Sequence, residues 1–196
     1  MRDRNAPGRP REFDETEMLR RIMTLFWKTG FDGVSLSHIM KETGLQKASL
    51  YAAFGDKRTM YLKALAQYHS DVVAAAARAL KDRAVSAEDR ISAFLSAPLV
   101  AADQQDRSGC FLCNASADQA DLDADTKTQV LRGFDHLASA LAVPLAERNP
   151  DLNADQVGRK ADALLAVYTG LRIMVRSGLP LDRLAGTVPL AMRTAG

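Results

Sequence analysis

Two short runs hold side chains whose chemistry goes beyond packing. The first, Gly109 to Asp118, reads GCFLCNASAD and contains both cysteines of the 196-residue chain, Cys110 and Cys113. On a helix, this spacing puts the two sulfurs on one face and close together. A thiol switch for oxidants or electrophiles would exploit that, and a metal site is conceivable. The plainer alternative is two small buried hydrophobes, which free cysteines commonly are. Zinc is disfavoured because His38, His69 and His136 are scattered and no second cysteine pair exists, so no metal is expected. A thiol-dependent redox enzyme using Cys110 and Cys113 would need a βαβ context, which the chain lacks. No glycine-rich phosphate loop, nucleophile elbow or paired acid/base cluster accompanies the thiols, so neither enzyme activity nor a cofactor is expected.

The second run, Thr43 to Lys57, reads TGLQKASLYAAFGDK and sets hydrogen-bonding head groups around apolar Leu50 and Phe54. The overall charge of +2 hides an asymmetry that favours this end of the chain for polyanion binding. Residues 1–60 hold 11 Lys/Arg against 8 Asp/Glu, and residues 61–196 hold 15 against 16. The chain has no stretch of about 18 apolar residues to span a bilayer and no apolar run behind its basic N-terminus. Two cysteines so close together imply no oxidising compartment, which leaves a cytoplasmic, membrane-free protein as the expectation.

The elements that must position these residues read as all-α, with apolar spacings of three and four throughout and no alternating strand pattern. A first helix is predicted from about Asp14 to Lys28, with Gly30 beyond its end. Ser35 caps a second helix that stops at Gly44, and a third runs from about Gln46 to Ala53 before Gly55. Asp56 caps a fourth, predicted to run unbroken from Lys57 to about Arg83, roughly 40 Å at a rise of about 1.5 Å per residue. Later segments are predicted at about 87–102, 109–120, 124–148 (with Pro144 bending or ending it) and 154–177. A last short helix over 181–192 is weakened by Gly186 and Pro189. The organisation expected is a basic arm at 1–12, a three-helix domain at 13–60 and a larger helical domain at 61–196, to which the resemblance given below assigns DNA binding and effector binding with dimerisation respectively.

Helices two and three, joined at Gly44 and Leu45, have the lengths of a helix-turn-helix. The run TGLQKASLYAAFGDK, with its Leu50-Tyr51 pair, Phe54 and Lys57, resembles the recognition segment of the TetR family, and the upstream TGFDGVSLSHIMKETG resembles the family's passage into helix two. The resemblance covers about residues 13–65. It implies a DNA-binding transcriptional regulator, most simply a ligand-responsive repressor on a palindromic operator; an activator with the same reader is the alternative. A helix entering the major groove offers its first turns to base edges, so Gln46, Lys47, Ala48 and Ser49 are the candidate readers, with Ala52 one turn later. Lys47 can donate to guanine O6 and N7. Phosphate anchoring falls to Ser35, Tyr51 and Lys57, positions at which the family commonly meets the DNA backbone. Gln46 departs from the family, which often has a small hydroxyl residue capping this helix. Arg9 and Arg11, flanking Pro10, suit an A·T-rich minor groove or, equally, a solvated tail.

Beyond residue 70 the resemblance is one of length, helicity and position. It implies an effector cavity between helices and a homodimer through the last two long helices. Leu164, Leu165, Tyr168, Leu171, Ile173, Met174 and Val175 make that stretch apolar on more than one face, and a partner subunit is the simplest cover. The pattern near Gly186 and Pro189 leaves the second dimer helix open. Phe94, Phe111, Asn114, Phe134 and Tyr168 either line the cavity of an unidentified small-molecule effector or are plain core.

Overall fold

The computed structural model describes residues 13–195, so the arm bearing Arg9 and Arg11 lies outside the described residues. Every regular element among the described residues is helical. The first helix, α1 (Glu15–Thr29), is capped by Asp14, whose carboxylate accepts from Thr16 N–H at 2.8 Å, and it ends at Gly30. Its apolar stripe, Ile22, Met23 and Phe26, is buried against α2 (Leu36–Thr43) and α4 (Lys57–Tyr68). The recognition segment forms α3 (Lys47–Phe54). Leu50, Phe54, Ile39, Phe26 and Met60 close one small core, in which full burial contributes roughly 1.5–3 kcal/mol per large side chain.

The fourth predicted helix is continuous but not uniform. After α4, His69–Val73 widen into a π turn, and α5 (Ala74–Lys81) completes the rod. The physical reason lies in the apolar phase. Buried positions fall at Met60, Tyr61, Ala64, Leu65 and Tyr68, and then at Val73, Ala77 and Leu80. A step of five from Tyr68 to Val73 would swing off the core face of an α-helix, and one wide turn restores it. The rod carries the reader domain's last helix past residue 60 into the second domain, so the boundary expected at 60/61 falls inside one continuous element.

The second domain is built from α5, α6 (Ala87–Asp103), α7 (Phe111–Asp118), α8 (Ala124–Arg148) and α9 (Ala154–Arg176). Pro144 does not end α8, which runs on to Arg148, with Leu141 and Leu145 on either side of it fully buried and anchoring both halves. The expected single helix at 181–192 is two pieces, α10 (Leu181–Leu184) and α11 (Thr187–Ala195), separated at Gly186. Pro189 sits in the first turn of α11, where its missing N–H has no intrahelical partner to lose. This segment packs on α6 and α9 with Val188 and Ala191 buried. The last two long helices are therefore α8 and α9. Gly133 in α8 lets α7 approach closely: a Cβ there would stand 2.5 Å from Leu112 Cδ1. No helix among the described residues is long and apolar enough to cross a membrane.

Candidate nucleic-acid interface

The turn between α2 and α3 is fixed by three contacts. Gly44 adopts a left-handed conformation (φ 71°), closing α2 with its N–H on the Met40 carbonyl. Thr43 Oγ1 donates to the Ile39 carbonyl at 2.8 Å and accepts the Leu45 N–H at 3.3 Å. The turn fixes the angle at which α3 leaves α2, and α3 in turn has two sharply different faces. Leu50 and Phe54 are 0% and 2% exposed. Gln46, Lys47, Ala48, Ser49, Tyr51 and Ala52 all lie on the exposed side. All five candidate base readers and Tyr51 are therefore open to solvent, carried on a helix locked from beneath.

The candidate phosphate anchors flank this face, and each is held in place by a neighbour. Ser35 Oγ accepts the His38 N–H at 3.2 Å and shares a 2.7 Å hydrogen bond with Ser37 Oγ, so two hydroxyls stand together at the N-terminus of α2. His38 completes a capping box by receiving the Ser35 N–H on Nδ1. Sequence reasoning missed Ser37 and the role of His38, although a Ser-x-Ser-His run at a helix start was the available signal. Lys57 opens α4 with its ammonium 4.3 Å from the centre of the Phe31 ring, a cation–π contact that aims a half-buried side chain. Lys47 stands 5.9 Å from the Tyr51 ring centre, which links a base-reading candidate to a phosphate-binding one. Asp56 caps α4, and hydrogen bonds from the Thr59 side chain and backbone hold its carboxyl below the usual range. Gln46 occupies the N-cap of α3 and makes no side-chain cap bond, leaving its amide unspent at the rim of the exposed face.

In the second domain the sequence candidates separate. Cys110 is the N-cap residue of α7 and Cys113 sits in the first turn; both are free and buried. Tyr68 Oη donates to Cys110 Sγ at 3.6 Å. A hydrogen bond from the Cys113 thiol, the Cys113 backbone N–H and the Tyr68 hydroxyl draw the Cys110 thiol below its ordinary range against the opposing effect of burial. Cys113, the donor of that bond, is pushed up. Phe111 is fully buried with its ring edge-on to Tyr61 and Tyr68, a packing position rather than a cavity wall. Asn114 spends its amide N–H groups on the carbonyls of Trp27 (3.0 Å) and Ser108 (3.2 Å), so it ties α7 to the end of α1. Tyr168 stacks on Phe94 at 4.2 Å and accepts the Arg172 Nε–H at 2.9 Å. Phe134 and Cys113 line a separate open groove between α7, α8 and α9.

The family model for bacterial regulatory proteins of the tetR family matches residues 19–64, the span of α1 to α4 that builds this face. Residues 19–64 carry the tetR-family pattern, and the chain as a whole is similar to regulators of that family. The chain is 27% identical over 192 residues to the HTH-type transcriptional repressor ComR of Escherichia coli (strain K12), covering 94% of this chain and 91% of that protein. It is 26% identical to the repressor BdcR of the same strain, over 95% and 91% of the two chains. A solved cysteine mutant of the TetR-family regulator CifR, complexed with 26-bp double-strand operator DNA, superposes with a TM-score of 0.79 at 25% identity, covering 95% and 98%. The likeness to these relatives thus extends over both domains, and the chain is a DNA-binding transcriptional regulator.

Proposed function

We propose that this regulator is a homodimeric, effector-responsive repressor that reads a palindromic operator with α3 and acts in the cytoplasm, where such DNA resides. The observation that carries this reading is the exposed, rigidly backed face of Gln46, Lys47, Ala48, Ser49 and Ala52, flanked by Ser35, Tyr51 and Lys57. Its geometry suits base readout by the first turns of a helix, with phosphates gripped at the N-termini of α2 and α4.

Dimerisation through α8 and α9 is supported by what those helices leave uncovered. Leu131, Ile173 and Met174 are exposed, and beside Ile173 an open groove of about 490 Å3 is walled by Phe134, Leu165 and Ala166. A second copy is the simplest cover for such a face, and two-fold symmetry would set two α3 helices on successive major grooves. The effector would act by favouring one of two head spacings, through differential affinity for the two states.

Selection of bound sequences from a random duplex pool tests the reading. An inverted repeat with half-sites about one helical turn apart is expected. Recovery of no preferred sequence, or of unpaired half-sites alone, would overturn it.

A further inference from the structure

A semi-enclosed cavity of about 320 Å3 lies between the rod, α6 and α9, and it is distinct from the groove of Cys113 and Phe134. This is near the lower end of small-molecule sites, which run from about 300 to 1,000 Å3. Ala76, Ala79, Ala93 and Ala97 supply shallow apolar surfaces, and beside them Phe94 and Tyr168 stack face to face, 4.2 Å between ring centres, with the Arg172 guanidinium 5.1 Å over the Tyr168 ring.

The polar groups of the cavity are few and unequally committed. Arg90 is buried with its guanidinium taken up by the Leu80 carbonyl at 2.9 Å, the Ser86 carbonyl and Glu147. Asp82 and Asp89, at the turn joining α5 to α6, accept from Ala84 N–H and Ser86 Oγ. Arg172 differs from these. It donates Nε–H to Tyr168 Oη, and its two terminal amino groups have no hydrogen-bond partner among the described residues. A largely desolvated guanidinium with two unspent amino groups is a ready bidentate partner for a carboxylate.

We infer that this cavity takes a small planar aromatic monocarboxylate, with its ring against the alanine surfaces beside the Phe94–Tyr168 stack and its carboxylate on Arg172. Asp82 and Asp89, at the turn joining α5 to α6, select against a second negative charge on their side of the cavity. Val72 belongs to the π turn in the rod that ends in the reader domain, so an occupant touches the element that must move. The inference rests on the effector-responsive reading above and names its ligand class.

Calorimetry with the full chain tests it, using 2-naphthoate, 2-naphthamide and naphthalene-2,6-dicarboxylate as probes, with operator binding measured in parallel. The acid is expected to bind at least about tenfold more tightly than the amide or the diacid. Arg172→Gln should abolish that preference, Arg172→Lys should retain part of it, and Ala97→Phe should exclude all three probes while leaving operator binding intact. Equal binding of acid and amide, an unchanged acid preference in Arg172→Gln, or no binding of any probe would overturn the inference. Each of those results with operator binding intact leaves the regulator reading standing. Failure of the unmodified chain to bind any operator would instead strike that reading itself.

Discussion

Asp118 Oδ2 accepts the backbone N–H of Phe31 at 2.7 Å, joining residues 87 positions apart. Phe31 follows Gly30 at the end of α1, and its ring carries the Lys57 ammonium. The last turn of α7 therefore holds the loop on which a phosphate-binding lysine rests. Asn114, one turn earlier, grips the Trp27 carbonyl, and Arg176 of α9 reaches the Lys28 carbonyl at 3.0 Å. Arg58 pairs with Asp123 at 2.5 Å and Asp125 at 2.6 Å on the far side of the same junction. Through these contacts a displacement of α7 or α9 becomes a displacement of the reader.

Asp118→Ala should lower the free energy of unfolding by about 1.5–3 kcal/mol, the usual value for a hydrogen bond to a charged group. Urea denaturation of the full chain measures this. The same variant should bind operator more weakly while keeping its sequence preference, because Lys57 loses its seat and α3 does not.

Lys47→Ala is expected to relax base preference at one position per half-site by about 1–3 kcal/mol, whereas Tyr51→Phe should weaken binding to every sequence alike. Competition assays with single-base operator variants separate the two. An even loss across sequences for Lys47→Ala would remove it from the readers.

Replacing Ile173 with Glu, together with Leu131→Glu, should give a monomer in light scattering, since both are large apolar side chains left exposed on α9 and α8. Operator affinity should fall about 100-fold or more as bivalent attachment is lost. The helical content should be unchanged.

Gly133→Ala should cost about 1–3 kcal/mol by overpacking, because Leu112 is fully buried and cannot easily yield to the added methyl group. Thermal unfolding reports the loss. Unchanged stability would mean that α7 and α8 can separate freely.

His69 and His136 share a hydrogen bond of 3.2 Å between Nε2 and Nδ1, at the π turn of the rod. Burial first, then His136 and Arg132, lower the His69 pKa in the folded protein. Unfolded chains therefore take up this proton at higher pH than folded ones. The stability associated with neutral His69 is complete above its unfolded value, about 6.5, and is lost as pH falls below it. Denaturation midpoints should drop between pH 7.5 and 5.5, and His69→Gln should flatten that dependence.

Local signals in the sequence determined the reader. Asp14, Ser35, Gly30, Gly44 and Gly55 mark the helix ends where the structure has them, because caps and left-handed glycines act within a few residues. The separation of Leu50 and Phe54 from Ser49 and Ala52 follows from helical period alone, whereas Gln46 and Lys47, four and three residues before Leu50, share its side of the helix and owe their exposure to where the tertiary structure leaves the start of α3. Tertiary structure decided what depends on neighbours distant in sequence. Pro144 is tolerated because both flanking leucines are buried, and the π turn exists because two cores must be met by one rod. Asn114 and Phe111 became a tether and a packing group once α1 and α4 stood beside α7. Arg172 was not among the sequence candidates, since what sets it apart is a pair of amino groups without partners in a cavity walled by three different helices, and no spacing within one helix encodes that.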